Sequence, residues 1–235
     1  YNARNLEVTR TEASGTTQAR TVTTEWHPTF RLPTKITESN RVTTLSYDNQ
    51  GNLLQRTVTP SNDSARTWTY KYDNYGQLTL VDGPLTGSQD VTAYSYDSQG
   101  NVSSMTDGLG HVTKITQYDA NGFPLTIVDP NGLMTVLSYD KRGHLISRDV
   151  GGEVTTYSYD NVGQIKKIMQ PSGSYTIFSY DDAHRLISVS DDLNNKIVYT
   201  LDAMGNHINE KTYDRTNTLV TRKTNKFDEL SRLAA

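Results

Sequence analysis

A short phrase recurs along this chain and leaves few folds open to it. It begins with alternating residues, reaches a Tyr-Asp pair, and places glycine four positions after the tyrosine. VTTYSYD (154–160) followed by NVGQI shows it most clearly. In register stand Tyr47-Asp48, Tyr72-Asp73, Tyr96-Asp97, Tyr118-Asp119, Tyr139-Asp140, Tyr159-Asp160 and Tyr180-Asp181, separated by 25, 24, 22, 21, 20 and 21 residues. The glycines are Gly51, Gly76, Gly100, Gly122, Gly143 and Gly163, and the seventh copy has His184 instead. Degenerate copies extend the series at Tyr1-Asn2, Trp26-His27, Leu201-Asp202 and Phe227-Asp228, about ten repeats of some 22 residues. Tyr213-Asp214 falls off the period and reads as accidental. A repeat of this length is one supersecondary unit, stabilised by its neighbours in an array.

Each copy predicts two strands and two turns. Before the pair, Trp68, Tyr70 and Tyr72 alternate with Thr67, Thr69 and Lys71, and Thr155, Tyr157 and Tyr159 alternate with Val154, Thr156 and Ser158. Period two with β-branched and aromatic residues is a strand. The Asp then opens a tight turn, because its carboxylate can accept nearby backbone N–H groups and glycine supplies positive φ. Segments such as LTLV (78–81), LTIV (125–128) and LISV (186–189) read as return strands. Second turns follow at Asp82-Gly83-Pro84, Asp107-Gly108, Asp129-Pro130-Asn131-Gly132, Gly151-Gly152, Pro171-Ser172-Gly173 and Asn194-Asn195. No helical periodicity survives this spacing, and the longest loops are expected at Pro60–Arg66 and Gly83–Asp90. The predicted fold is all-β, an array of hairpins joined in one long curved antiparallel sheet. Residues 1–235 form a single repeat domain, since no linker interrupts them.

Composition supports a thin sheet over a thick core. Only 34% of the 235 residues are hydrophobic, yet there are 15 tyrosines among many Thr, Val and Ile. The aromatic and β-branched content argues for ordered strands. A net charge of −3 with interspersed signs gives no footprint for nucleic acid. No run of about 18 apolar residues predicts membrane insertion. Cysteine is absent, which excludes disulfides and thiolate metal sites. The segment YNARNLEVTR has no signal-peptide core and opens in mid-phrase, as expected of a piece of a longer chain. About 20 strands at ~4.8 Å would make a sheet about 100 Å wide, closing at only about 30 Å across if rolled into one ring. A cage for a folded domain needs more repeats than these.

The phrases YDNQGNL (47–53), YDNYGQL (72–78), YDSQGNV (96–102), YDKRGHL (139–145) and YDNVGQI (159–165) resemble the RHS or YD-repeat family of bacterial polymorphic toxins, toxin-complex C components and teneurins. EWHPTFRLPTKIT (25–37) is similar to an early repeat of the bacterial branch. The resemblance implies a sheet that spirals into a hollow β-shell around a C-terminal effector, in a secreted or cell-surface bacterial protein. Its partners are then the remainder of its own longer chain and the enclosed effector. The resemblance also carries a link to carbohydrate. No DPLG-type cleavage ending is present; Asp129-Pro130-Asn131-Gly132 sits mid-array at an ordinary second turn.

No residue cluster announces a reaction, so no enzyme activity and no cofactor are expected. The Tyr-Asp pairs read as a tyrosine ladder with turn-capping aspartates, because adjacent strand residues point to opposite faces. His27, His111, His144, His184 and His207 are scattered, with no metal-ligand spacing. Asp181-Asp182 and Asp191-Asp192 lack the spacing of a calcium loop and read as hairpin ends. Trp26 and Trp68 are the candidates for stacking on a glycan, the alternative function, against a packing role in strands. The terminal strands leave unpaired backbone, which predicts edge-to-edge self-association.

Overall fold

A computed structural model of the chain describes residues 1–234. Among the described residues there are twenty strands, antiparallel in every pairing, and no helix. The chain divides into two compact units, Tyr1–Ile115 and Thr116–Ala235. In the first, β1 (Thr9–Glu12) to β9 (Val102–Thr106) pair in sequence order, and β10 (Val112–Tyr118) adds to β9. In the second, β11 (Pro124–Val128) to β20 (Leu219–Thr224) do the same.

The alternation in sequence becomes an alternation of faces. On β14 (Glu153–Tyr159), Thr155, Tyr157 and Tyr159 are half-buried, while Val154, Thr156 and Ser158 are exposed. Cross-strand partners share a face. Tyr157 lies opposite Ile168 and Tyr159 opposite Ile165, so tyrosines and branched aliphatics collect on one side. The other side carries Ser158 opposite Lys167. In the first unit Tyr70 likewise lies opposite Val81 and Tyr72 opposite Leu78, tyrosine against aliphatic. Neither unit has a dense interior. Among the described residues only Leu6 and Ser188 are buried. Ladder hydrogen bonds and cross-strand pairs therefore carry the stability, as the lean composition implied.

The two ends of the hairpins differ. Between Ser158↔Lys167 and Tyr159↔Ile165 the register slips by one residue, leaving Lys166 extra on the return strand. The same slip stands beside Tyr47, Tyr72, Tyr96, Tyr139, Tyr180 and Leu201. The second-turn pairs β9–β10, β11 with β12 (Met134–Tyr139), β13 (Leu145–Val150) with β14, β15 (Ile165–Met169) with β16 (Tyr175–Tyr180), and β17 (Leu186–Asp191) with β18 (Lys196–Leu201) keep an unbroken register. Such a bulge bends its strand and raises local twist. The Tyr-Asp edge of each unit is thus where most of the bulges collect. The longest connection, residues 83–91, follows β7 (Leu78–Asp82), where expected; the one after β5 (Leu53–Pro60) is only 61–65, no longer than an ordinary turn because the strands themselves lengthen there, and the second longest, 13–19, follows β1.

Candidate functional site: the turn edge

Each Tyr-Asp turn is built by one carboxylate. Asp160 Oδ1 accepts the backbone N–H of Val162 at 3.0 Å and of Gln164 at 2.9 Å. Its own N–H donates to Gln164 O at 2.9 Å, and Gly163 N–H donates to Asp160 O at 3.2 Å. Asp48, Asp73, Asp97, Asp119, Asp140 and Asp181 repeat this pattern. The fourth residue of the turn holds positive φ. It is glycine in six copies, and His184 at φ 63° in the seventh. At the N-terminus Asn2 replaces Asp, accepting from Arg4 and Leu6, with Asn5 at φ 59°. At Trp26-His27 an imidazole takes the acceptor role, since His27 Nδ1 receives the N–H groups of Thr29 and Phe30.

Tyr213-Asp214 is no accident of composition. Asp214 Oδ1 accepts from Thr216 and Thr218, and Asn217 has φ 61°. The turn joins β19 (His207–Tyr213) to β20 at the opposite edge from the other Tyr-Asp turns, with the same one-residue slip. It lies off the period because the period counts one edge only. Asp107, Asp129 and Asp191 build the same carboxylate turn at that second edge, so the two turn classes share their chemistry. Asp129-Pro130 belongs to this set.

The tyrosines tie one hairpin to the one before. Tyr72 Oη donates to Leu53 O at 3.1 Å, Tyr96 to Leu78 O at 2.6 Å, Tyr159 to Leu145 O at 2.9 Å and Tyr180 to Ile165 O at 2.9 Å. Each acceptor is the first return-strand residue of the preceding repeat. Tyr47 reaches Pro33 O in the same way, at 2.8 Å. A second link runs forward, from the residue four after the Asp. Gln77 Nε2 donates to Gly100 O, Gln164 Nε2 to His184 O, and Arg185 Nη1 to Asp202 O. Where that residue is aromatic it stacks instead: Phe123 on Tyr139 at 5.0 Å and His144 on Tyr159 at 4.7 Å. Where it is Asn, as at Asn52, Asn101 and Asn206, it turns back to its own Asp. The sequence reading missed this position; its signal was the recurring amide, imidazole, phenyl or guanidinium after the glycine.

Protonation follows from these contacts. The Asn52 side-chain amide, with backbone N–H groups, holds Asp48 below the usual carboxylate value, and His144 does the same for Asp140. The Arg185 guanidinium lowers Asp181. Burial raises the phenols of Tyr72, Tyr139, Tyr159 and Tyr180, with the preceding repeat's Asp adding to it. A carboxylate lowered on folding stabilises above its unfolded value near pH 4, and that stability goes as pH falls through the folded value. A phenol raised on folding stabilises below about pH 10, and that stability goes as pH rises through the folded value. The melting temperature should therefore be flat from about pH 5 to 9 and fall on both sides, as read by circular dichroism. A midpoint that climbs below pH 4 would contradict the turn assignment.

The remaining candidates disperse. His111 and His144 bond their own turn aspartates, and His207 lies against Tyr199 at 4.6 Å. Asp181 and Asp191 are each consumed by a turn. No group of three His, Asp or Glu side chains converges among the described residues. Trp26 Nε1 donates to Glu7 O at 2.9 Å, and Arg56 covers the Trp68 ring at 4.9 Å. No helix among the described residues is long and apolar enough to cross a membrane.

The sequence profile of the teneurin YD-shell family matches residues 31–224. Among solved structures, the TcdB2-TccC3 crystal structure superposes with a TM-score of 0.72 at 18% identity, covering 91% of this chain and 13% of that one. TcdB2-TccC3-TEV gives 0.71 at 18%, with the same coverage of both chains. The Photorhabdus luminescens Tc holotoxin pore gives 0.70 at 18%, covering 91% of this chain and 12% of that one. The chain spans about an eighth of the length of these structures. No curated protein sequence matches it.

Proposed function

Because the chain belongs to the teneurin YD-shell family, we propose that it is a non-catalytic wall segment. In the intact protein it is one domain, and its sheet continues into a curved shell that encloses a C-terminal effector of the same chain. The setting is a bacterial protein exported to the surface or beyond. One observation carries this reading: every link described stays within a hairpin or runs to the neighbouring one, and none converges on a shared centre. Such wiring gives stability as a sum of nearest-neighbour terms, which suits a wall of any length. Half-buried faces without a dense core suit a partition with contents on one side.

Limited proteolysis of the parent protein tests it. A C-terminal fragment that resists protease in the intact protein, and is digested once the wall is loosened by Tyr159→Ala and Tyr180→Ala together, is the expected result. A C-terminal region digested at the same rate in both proteins would end the reading. Self-association belongs to the same proposal. β20 is exposed along its whole length and pairs on one side with β19. An open edge of this kind templates another strand. Sedimentation of this chain should show dimers that dissociate on dilution; monomer alone at every concentration would remove that part.

A further inference from the structure

We propose that the second unit carries a docking surface for an acidic stretch of polypeptide, on the side of β14 to β20 that faces away from Tyr159 and Tyr180. The registers define that side. Ser158 lies opposite Lys167, Lys167 opposite Ile177, Ile177 opposite Ser190, Ser190 opposite Lys196, and Lys196 opposite Tyr213. Two residues along the strands, Ser188 lies opposite Val198, Val198 opposite Lys211, and Lys211 opposite Arg222. Cross-strand partners share a face. Lys167, Lys196, Lys211 and Arg222 therefore stand on one side. The acids within these seven strands, Glu153, Asp191 and Glu210, all occupy the other side. The turn aspartates at the strand ends are committed to backbone N–H groups.

The four cations lack a carboxylate partner. Among the described residues the ion pairs of the second unit are His144–Asp140, Arg185–Asp181 and Arg232–Asp228, and none includes them. Lys196 and Arg222 are exposed, and Lys167 and Lys211 half-buried. The first unit is built differently. There the side away from Tyr47, Tyr72 and Tyr96 mixes its signs: Lys35, Lys71 and Lys114 share it with Glu25 and Asp82, and Lys35 is paired with Glu25 at 3.0 Å. Spacing favours an extended peptide. Lys211 and Arg222 are direct cross-strand neighbours, about 5 Å apart at Cβ, and Lys196 is diagonal to Lys211 at about 7–8 Å. In an extended chain every second side chain faces one way, at intervals of about 6.5 Å. An acid at every second position then sets one carboxylate over each cation in turn. Nucleic acid fits less well. Its bases need open rings, whereas Lys167 lies over the Tyr175 ring at 3.8 Å and Tyr213 is half-buried. The net charge of −3 also opposes a long polyanion.

The test titrates the full chain into a fluorescent peptide of alternating glutamate and serine and reads anisotropy. Saturable binding is expected, weakened by added salt and weakened about tenfold or more when Lys196→Gln, Lys211→Gln and Arg222→Gln are combined. Combining Lys35→Gln, Lys71→Gln and Lys114→Gln removes the same charge from the first unit and should change binding by less than about twofold. Lys196→Gln alone alters one exposed side chain, so it should weaken binding severalfold at an unchanged melting temperature, which separates lost docking from lost fold. No binding overturns the proposal, as do equal losses in the two triple variants. Tighter binding of a single-stranded oligonucleotide or of phosphatidylserine vesicles also overturns it, in favour of another occupant. Proteolysis of the parent protein decides the wall reading and this titration decides the docking surface, so either can fail alone.

Discussion

Tyr159→Ala should lower the unfolding free energy of this chain by about 2–4 kcal/mol, read as a fall in the urea midpoint. The estimate starts from the 3–5 kcal/mol typical of truncating a core aromatic and is reduced because Tyr159 is only half-buried. Three interactions go together: the bond to Leu145 O, the stack with His144, and the cross-strand contact with Ile165. Tyr159→Phe separates them. It keeps the ring and removes the hydroxyl, so it should cost about 1 kcal/mol, the net worth of one hydrogen bond. If Phe costs as much as Ala, the hydroxyl bond dominates the ladder. If Ala leaves the midpoint unchanged, the tyrosines do not link the hairpins at all.

Gly143→Val should be comparably damaging, at about 3 kcal/mol, for two separable reasons. Gly143 has φ +83°, and a β-branched residue held there is strained by about 1–3 kcal/mol. A Cβ at this position would also lie 2.8 Å from Phe123 Cζ and 3.0 Å from Cε2, so the Phe123 ring must leave its stack on Tyr139. Gly132→Val isolates the first reason. Gly132 has φ +84° with open space around its would-be Cβ, so strain alone should act there. The difference between the two variants in chemical denaturation measures the packing of the turn edge. Equal losses would mean that the forward link through Phe123 adds nothing. Gly132→Asn should be near neutral, because Asn194 and Asn217 hold φ 67° and 61° at equivalent positions.

Much of this architecture can be read from local chemistry. A Tyr-Asp pair followed by glycine at fixed spacing is a complete instruction for strand, carboxylate turn and return. The turns at Asp48 to Asp181 fold as that instruction says, and so does the degenerate one at Asn2. His184 shows that the instruction tolerates a side chain at positive φ. What stays hidden is whatever depends on the neighbour. The acceptor of Tyr159 is the backbone carbonyl of Leu145, and a carbonyl has no letter in the sequence. Tyr213-Asp214 looks irregular only because hairpins alternate between two edges while the eye counts one. Trp68 resembles an open platform in sequence, yet Arg56 is brought over it by the pairing of β5 with β6 (Arg66–Tyr72).

Because each phenol grips only the hairpin before it, the second unit should yield to tension one rung at a time. Drawn from its C-terminal end along the hydrogen-bond direction, it should unzip in a series of small, similar force steps. A globule with a shared interior gives way in one large rupture instead.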